Sequence, residues 1–201
     1  MKGIGTAIIK NRKTLEGIVI MLFFIAGAIL QGFYFLKQYI IANLIIIIYT
    51  GVILYHKKEK LSYARETASL FVFVGLYFLS IVYAINREGA LHEALRVLGF
   101  IPAYLMGMIW GSHEVRWMER GIIASGVIVS LIGIAVLSRL IFIEGALYNG
   151  RLQSTFGYAN VTALYMLLGI VLTVKNMLTA RKRILYSICI FLLMCGLILT
   201  Y

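Results

Sequence analysis

Gly121–Ser138 reads GIIASGVIVSLIGIAVLS, 18 residues without a charge, bounded by Arg120 and Arg139. Isoleucine and valine favour strands, but strands rarely exceed about 10 residues. A helix needs roughly 20 mostly apolar residues to cross the hydrocarbon core of a bilayer. Lipid offers no partners to backbone N–H and C=O groups, so a spanning run of this length is read as a helix. The stretch therefore sets the expected fold class: all-α and membrane-embedded.

Similar uncharged runs recur in both directions: Gly17–Leu36, Gln38–Tyr55, Thr67–Asn86, Val97–Ser112, Leu152–Val174 and Ile184–Tyr201. Together they predict a polytopic membrane protein with seven transmembrane helices. Composition agrees. The 201 residues are 62% hydrophobic and 13% charged, against about 25% charged in soluble domains. No repeat, linker or low-complexity segment divides the chain, so residues 1–201 read as a single transmembrane domain. Pro102 falls early in the fourth run and is expected to kink it. Cys189 and Cys195 lie six positions apart, on different faces of one helix, and read as small apolar packing residues.

The net charge is +11, from 19 Lys and Arg against 8 acids, every one a glutamate. A basic excess can mark nucleic-acid binding, but its placement here argues for another role. With a cytoplasmic N-terminus, Lys2, Lys10, Arg12, Lys13, Lys57, Lys58, Lys60, Arg65, Arg116, Arg120, Lys175, Arg181, Lys182 and Arg183 all fall inside. Only Lys37, Arg87, Arg96, Arg139 and Arg151 fall outside. This is the positive-inside pattern of a multi-pass protein of the plasma membrane. The charge orients helices at an anionic leaflet, so membrane lipid, and no nucleic acid, is the expected partner. A second reading takes the basic start, the first apolar run and Ala26-Gly27-Ala28 as a cleavable signal peptide. It leaves the orientation of the other runs unchanged.

Topology accounts for the cytoplasmic charges; the external arginines need separate reasons. Arg87 and Arg96 lie within NREGALHEALRVL, where Glu88, His92 and Arg96 share one helical face. One reading is an amphipathic interfacial turn with an ion pair. The other places Arg96 at a cavity as an anion ligand, because ionisable groups at membrane depth mark function. Arg139 either snorkels to the headgroups or joins such a site, and Arg151 sits in a loop. Guanidinium forks match phosphate oxygens, so these four arginines are candidate ligands for a diphosphate. The chain has no Gly-rich phosphate loop, HExxH or CxxC. It has no Asp, so no Asp-x-Asp metal site is possible; neither metal nor cofactor is expected. His92 is the external histidine, while His56 and His113 read as solvated in cytoplasmic loops.

RLQSTFGYANVTALYMLL, Arg151–Leu168, carries a resemblance. Arg151, Leu152, Ser154, Thr155, Phe156, Gly157, Asn160, Ala163 and Leu164 look like the hallmark region of the O-antigen ligase and polymerase family. The family often has Pro before the Asn, where this chain has Ala159. SIVYAINREGALHEALRVLGFIPAYL resembles the family's junction between third and fourth helices. The resemblance implies transfer of a glycan from undecaprenyl diphosphate to a glycan or lipid acceptor hydroxyl, at the external membrane face and without metal or nucleotide. It implies lipid-diphosphate binding at Arg151 and Arg96, with Arg87 and Arg139 as further candidates. Phe156, Gly157 and Asn160 are expected to shape the loop, Asn160 as the cap of the following helix. The family continues with Ser-Arg-Gly, a large external loop and more helices, so the chain is expected to be the N-terminal part of a longer member. A catalytically inactive truncated protein, or a small transporter or lipid-binding protein, are the alternative readings.

Overall fold

The structure, a computed structural model, describes residues 2–57, 65–179 and 183–201, with side chains from 13–55, 67–179 and 183–201. Of the charges counted as cytoplasmic, Lys58, Lys60, Arg181 and Lys182 lie outside the described residues. So do the side chains of Lys2, Lys10, Arg12, His56, Lys57 and Arg65.

The described chain is all-α apart from one small hairpin. Its helices are α1 (Lys2–Ile29), α2 (Leu36–Lys57), α3 (Arg65–Tyr83), α4 (Arg87–Leu98), α5 (Phe100–Ile109), α6 (Ser112–Leu137), α7 (Ala159–Thr179) and α8 (Arg183–Leu199). Among the described residues, three segments are long and apolar enough to cross a membrane: Leu36–Tyr55, Ser112–Leu137 and Ala159–Thr179. Thr67–Tyr83 and Arg183–Leu199 are apolar but shorter. The chain divides into two compact units, Phe33–Gly111 and the combination of Met1–Gly32 with Ser112–Tyr201.

In Phe33–Gly111, the fourth apolar run is not one helix. It breaks at Gly99, leaving α5 only 10 residues long. That length spans about 15 Å, half of a ~30 Å hydrocarbon core. Pro102 supplies the cause. A proline ring clashes with the carbonyl four residues back and offers no N–H to it; that carbonyl belongs to Leu98, the last residue of α4. Pro102 is then tolerated in the first turn of α5. Asn43 of α2 packs against the bared backbone. A Cβ on Gly99 would overlap its Oδ1, and its Nδ2 donates to the Leu95 carbonyl at 3.1 Å. Tyr39 donates to the His92 carbonyl (3.1 Å) and Thr50 to the Pro102 carbonyl (3.3 Å), so α2 binds both halves of the broken helix.

The other unit is built around α6, which packs against α1, α7 and α8. Its polarity is inverted relative to a water-soluble bundle. On α7, Val161, Leu164, Leu167, Leu168 and Val171 are exposed, while Thr162, Gly169 and Thr173 are buried beside Met166. A bundle in water would bury the leucines first. Small residues and interhelical hydrogen bonds hold this interior, as in helices that associate within lipid. A Cβ on Gly121 would stand 3.1 Å from the Met21 Cα, so α6 and α1 meet at backbone distance. Ser130 donates to the Leu192 carbonyl of α8 at 2.5 Å, and the Ser125 and Tyr165 hydroxyls pair at 2.6 Å. Glu119, buried on α6, is joined to α7 by the Lys175 ammonium and by Asn176 Nδ2 at 3.1 Å. His113, expected in a solvated loop, stands instead in the first turn of α6, where its Nε2 accepts from the Trp117 indole at 3.3 Å. Ala28, part of the suspected cleavage site, is 3% exposed in the core with Val129, Met166 and Leu193.

Candidate functional site

The loop between α6 and α7 begins with an unusual helix end. The Leu140 amide donates to the Ala135 carbonyl (2.9 Å) and the Arg139 amide to the Val136 carbonyl (3.0 Å). This pair of bonds is a Schellman cap, whose left-handed position is usually glycine. Here Arg139 occupies it, at φ 57°. Left-handed backbone costs a side chain with a Cβ about 1–2 kcal/mol. Arg139→Gly is therefore expected to raise the melting temperature or leave it unchanged, by roughly 1 kcal/mol of relief; a lower melting temperature would contradict this account of the turn.

Leu147–Tyr148 and Arg151–Leu152 then form a two-stranded antiparallel hairpin, with Leu147 opposite Leu152 and Tyr148 opposite Arg151. Asn149 and Gly150 make the turn at φ 52° and 79°, as a two-residue type I′ turn requires. Side chains alternate across a strand, and here the alternation matters. Leu152 turns inward, 0% exposed, against Gly133 of α6. Arg151 turns outward on the same face as the exposed Tyr148.

Beyond the hairpin, a 3₁₀ turn at Ser154–Phe156 is pinned to two helices. Ser154 donates to the Val129 carbonyl of α6 (2.9 Å) and Thr155 to the Ala28 carbonyl of α1 (2.7 Å). Phe156 packs at a tilt against Tyr165, ring centroids 5.0 Å apart. Gly157, at φ 68°, turns the chain into α7. In the orientation that satisfies its bonds, the Gln153 carboxamide donates to the Gly157 carbonyl (2.6 Å) and the Gly145 carbonyl (3.1 Å). Thr162 closes the turn by donating to the Gln153 carbonyl at 2.6 Å. The uncharged run from Leu152 thus spends residues 152–158 on this loop, and α7 starts at Ala159.

Asn160 is consequently the second residue of α7 rather than its cap. Its Oδ1 accepts from Arg151 Nη2 at 3.2 Å, while Arg151 Nε donates to the Thr200 carbonyl beyond α8 at 3.0 Å. Helix C-termini expose carbonyls that cations satisfy, so Arg151 ties the ends of α7 and α8 together. Its Nη1 has no hydrogen-bond partner among the described residues.

The other arginines are placed differently. Arg139 and Glu144 line a cavity of about 530 Å³ with Val136, Ile141, Phe142, Ile143, Gly145 and Leu147. Arg96, in the other unit, is engaged. Its Nη1 pairs with Glu93 at 2.8 Å, so its ion pair is not with Glu88, and its Nη2 donates to the Tyr34 carbonyl at 3.1 Å. The rings of Tyr34 and Tyr39 each lie 5.1 Å from its guanidinium carbon, a cation–π cage. Arg87 is exposed at the first position of α4, next to the Asn86 cap.

Comparison with protein-family models, curated proteins and solved structures returns no match.

At Arg151 the loop presents an outward guanidinium, fixed at two nitrogens and open at the third, beside helices with exposed leucines and valines. Such a group can hold an anionic headgroup at an apolar surface. Among the described residues, no three His, Cys or Glu side chains cluster closely enough to hold a metal. Sequence reasoning passed over the hairpin, although Asn-Gly between Leu-Tyr and Arg-Leu is its usual signal. It also passed over Gln153 and Thr200, whose parts are played through carbonyls and a carboxamide that no spacing rule marks.

Proposed function

We propose that the chain is a multi-pass plasma-membrane protein with seven spans, the fourth being the broken helix α4–α5, and a cytoplasmic N-terminus, which transfers a glycan from undecaprenyl diphosphate to an acceptor hydroxyl at the external face. The observation that carries this reading is the Arg151 fork, held by Thr200 and Asn160 with Nη1 left for a ligand. The resemblance of Arg151–Leu168 to O-antigen ligases and polymerases points to the same ligand. In the reaction, the acceptor oxygen bonds to the anomeric carbon while the bond from that carbon to the phosphate oxygen breaks. The lipid diphosphate leaves with the electron pair, and the acceptor proton passes to solvent. A prepositioned cation stabilises the charge that develops on the leaving oxygen. Arg151 has this role. Arg96 is assigned to holding α4 against Tyr34 and Tyr39, and Arg87 to the approach of the anionic substrate.

The test uses right-side-out membrane vesicles bearing the full-length protein, loaded with undecaprenyl-diphosphate-linked glycan and given an impermeant acceptor outside. Glycan on the acceptor, with stoichiometric release of undecaprenyl diphosphate, is the expected result. Retention of the lipid-linked glycan without transfer would replace the enzyme with a lipid-binding protein. Transfer only in inverted vesicles would reverse the orientation.

A further inference from the structure

The cavity below Arg139 has a charge pattern that a diphosphate does not match. Its two charged lining residues are Arg139 and Glu144, of opposite sign. Neither forms an ion pair or a side-chain hydrogen bond with any described residue, and they form none with each other. A polyanion there would meet one cation and be repelled by the carboxylate. A zwitterion meets a partner at each end: its phosphate at the guanidinium and its ammonium at the carboxylate. The remaining wall is mostly apolar, from Val136, Ile141, Phe142, Ile143 and Leu147. Phe142 in this wall is 90% exposed and Leu140 beside it 78%, side chains that interfacial lipid covers. The backbone adds a reason for the arginine itself. It stands where glycine is the relaxed choice, and strain of this kind collects at ligand sites.

We propose that this cavity binds the headgroup of a phospholipid bearing a primary amine, of the phosphatidylethanolamine type. The phosphate sits at Arg139, the ammonium at Glu144, and the glycerol and first acyl carbons lie against Ile141 and Phe142. The inference rests on the membrane placement given above but not on glycan transfer.

The full-length protein, purified in a non-ionic detergent, is titrated with phosphatidylethanolamine, phosphatidylcholine and phosphatidylglycerol, and bound lipid is counted by native mass spectrometry. Phosphatidylethanolamine is expected to bind at least about tenfold more tightly than the other two, the scale of one charge-assisted hydrogen bond. Phosphatidylcholine lacks the N–H donors and phosphatidylglycerol lacks the cation. Arg139→Gly and Glu144→Gln should each remove that preference. The glycine variant relaxes the turn, so its loss of binding with an undiminished melting temperature cannot be charged to misfolding. Equal affinity for the three lipids, or a preference that survives both substitutions, would overturn the proposal. Competition by free phosphoethanolamine at lipid-like concentrations would overturn it too, by making the site one for a soluble ligand. These readouts need no glycan, so their failure leaves the transfer reaction standing.

Discussion

Arg151→Ala is expected to lower glycan transfer by about 10²–10³-fold, the cost of removing one preorganised donor from a developing oxyanion. The arginine also bonds the Thr200 carbonyl and Asn160, so a structural loss has to be separated from a chemical one. The Thr200 carbonyl lies at a helix end, and losing one such bond costs about 1 kcal/mol. Membrane abundance and melting temperature should therefore change little while the rate collapses. Arg151→Lys sharpens the distinction. Lysine keeps the charge but lacks the planar fork, so it cannot hold Thr200, Asn160 and a phosphate oxygen together. Its rate should fall between those of the wild type and the alanine variant. A rate loss that only tracks the loss of folded protein would make Arg151 a tie between helices. An unchanged rate would remove it from the site.

The second large effect concerns the leucine behind that arginine. Leu152 is 0% exposed, and its Cδ2 lies 2.5 Å from where a Cβ on Gly133 would stand. Leu152→Ala is expected to cost about 2–5 kcal/mol, the range for buried leucines. Gly133→Ala is expected to cost about 1–3 kcal/mol by overpacking. The double variant should cost clearly less than the two single costs together, because the added methyl occupies space that the leucine vacates. Unfolding in mixed micelles with the four proteins of this cycle measures the coupling. Strict additivity would show that the hairpin is not seated on α6 at this point. Transfer should fall in Leu152→Ala and recover partly in the double variant, since Leu152 and Arg151 are adjacent on one strand and one fixes the other.

The pattern of apolar runs made the helices legible, because hydropathy acts over whole segments. It did not place their ends. Gly17–Leu36 read as one run, but α1 stops at Ile29 and Gly32 takes a left-handed conformation at φ 69°. Pro102 signalled a kink, yet the break falls at Gly99, where the missing bond to Leu98 is felt. Leu152–Val174 is uncharged throughout, and hydropathy cannot separate a hydrophobic loop from a hydrophobic helix. There the deciding signals were local ones, Asn149-Gly150 and Gly157, whose positive φ angles define the turns. At the site, the outward direction of Arg151 follows from strand alternation, which a segment read only as loop does not supply. Spacing leaves Arg96 open between an ion-paired turn and an anion ligand, because its tyrosine partners come from α2 and the turn before it, beyond the reach of spacing rules. Arg139 and Glu144 were never paired, since the four loop residues between them have no fixed period.

The inverted polarity of the unit around α6 has a thermodynamic consequence. In a bilayer, the outward leucines and valines of α7 stay in hydrocarbon whether or not the helices are packed. Pulling the helices apart moves little apolar surface into water, and exposure of such surface is what gives unfolding its large positive heat capacity. The helix assembly should thus have a nearly straight stability curve. It would weaken steadily on warming as close packing and the Ser130 and Ser125 hydrogen bonds loosen, and it would lack the low-temperature decline that hydration imposes on bundles in water.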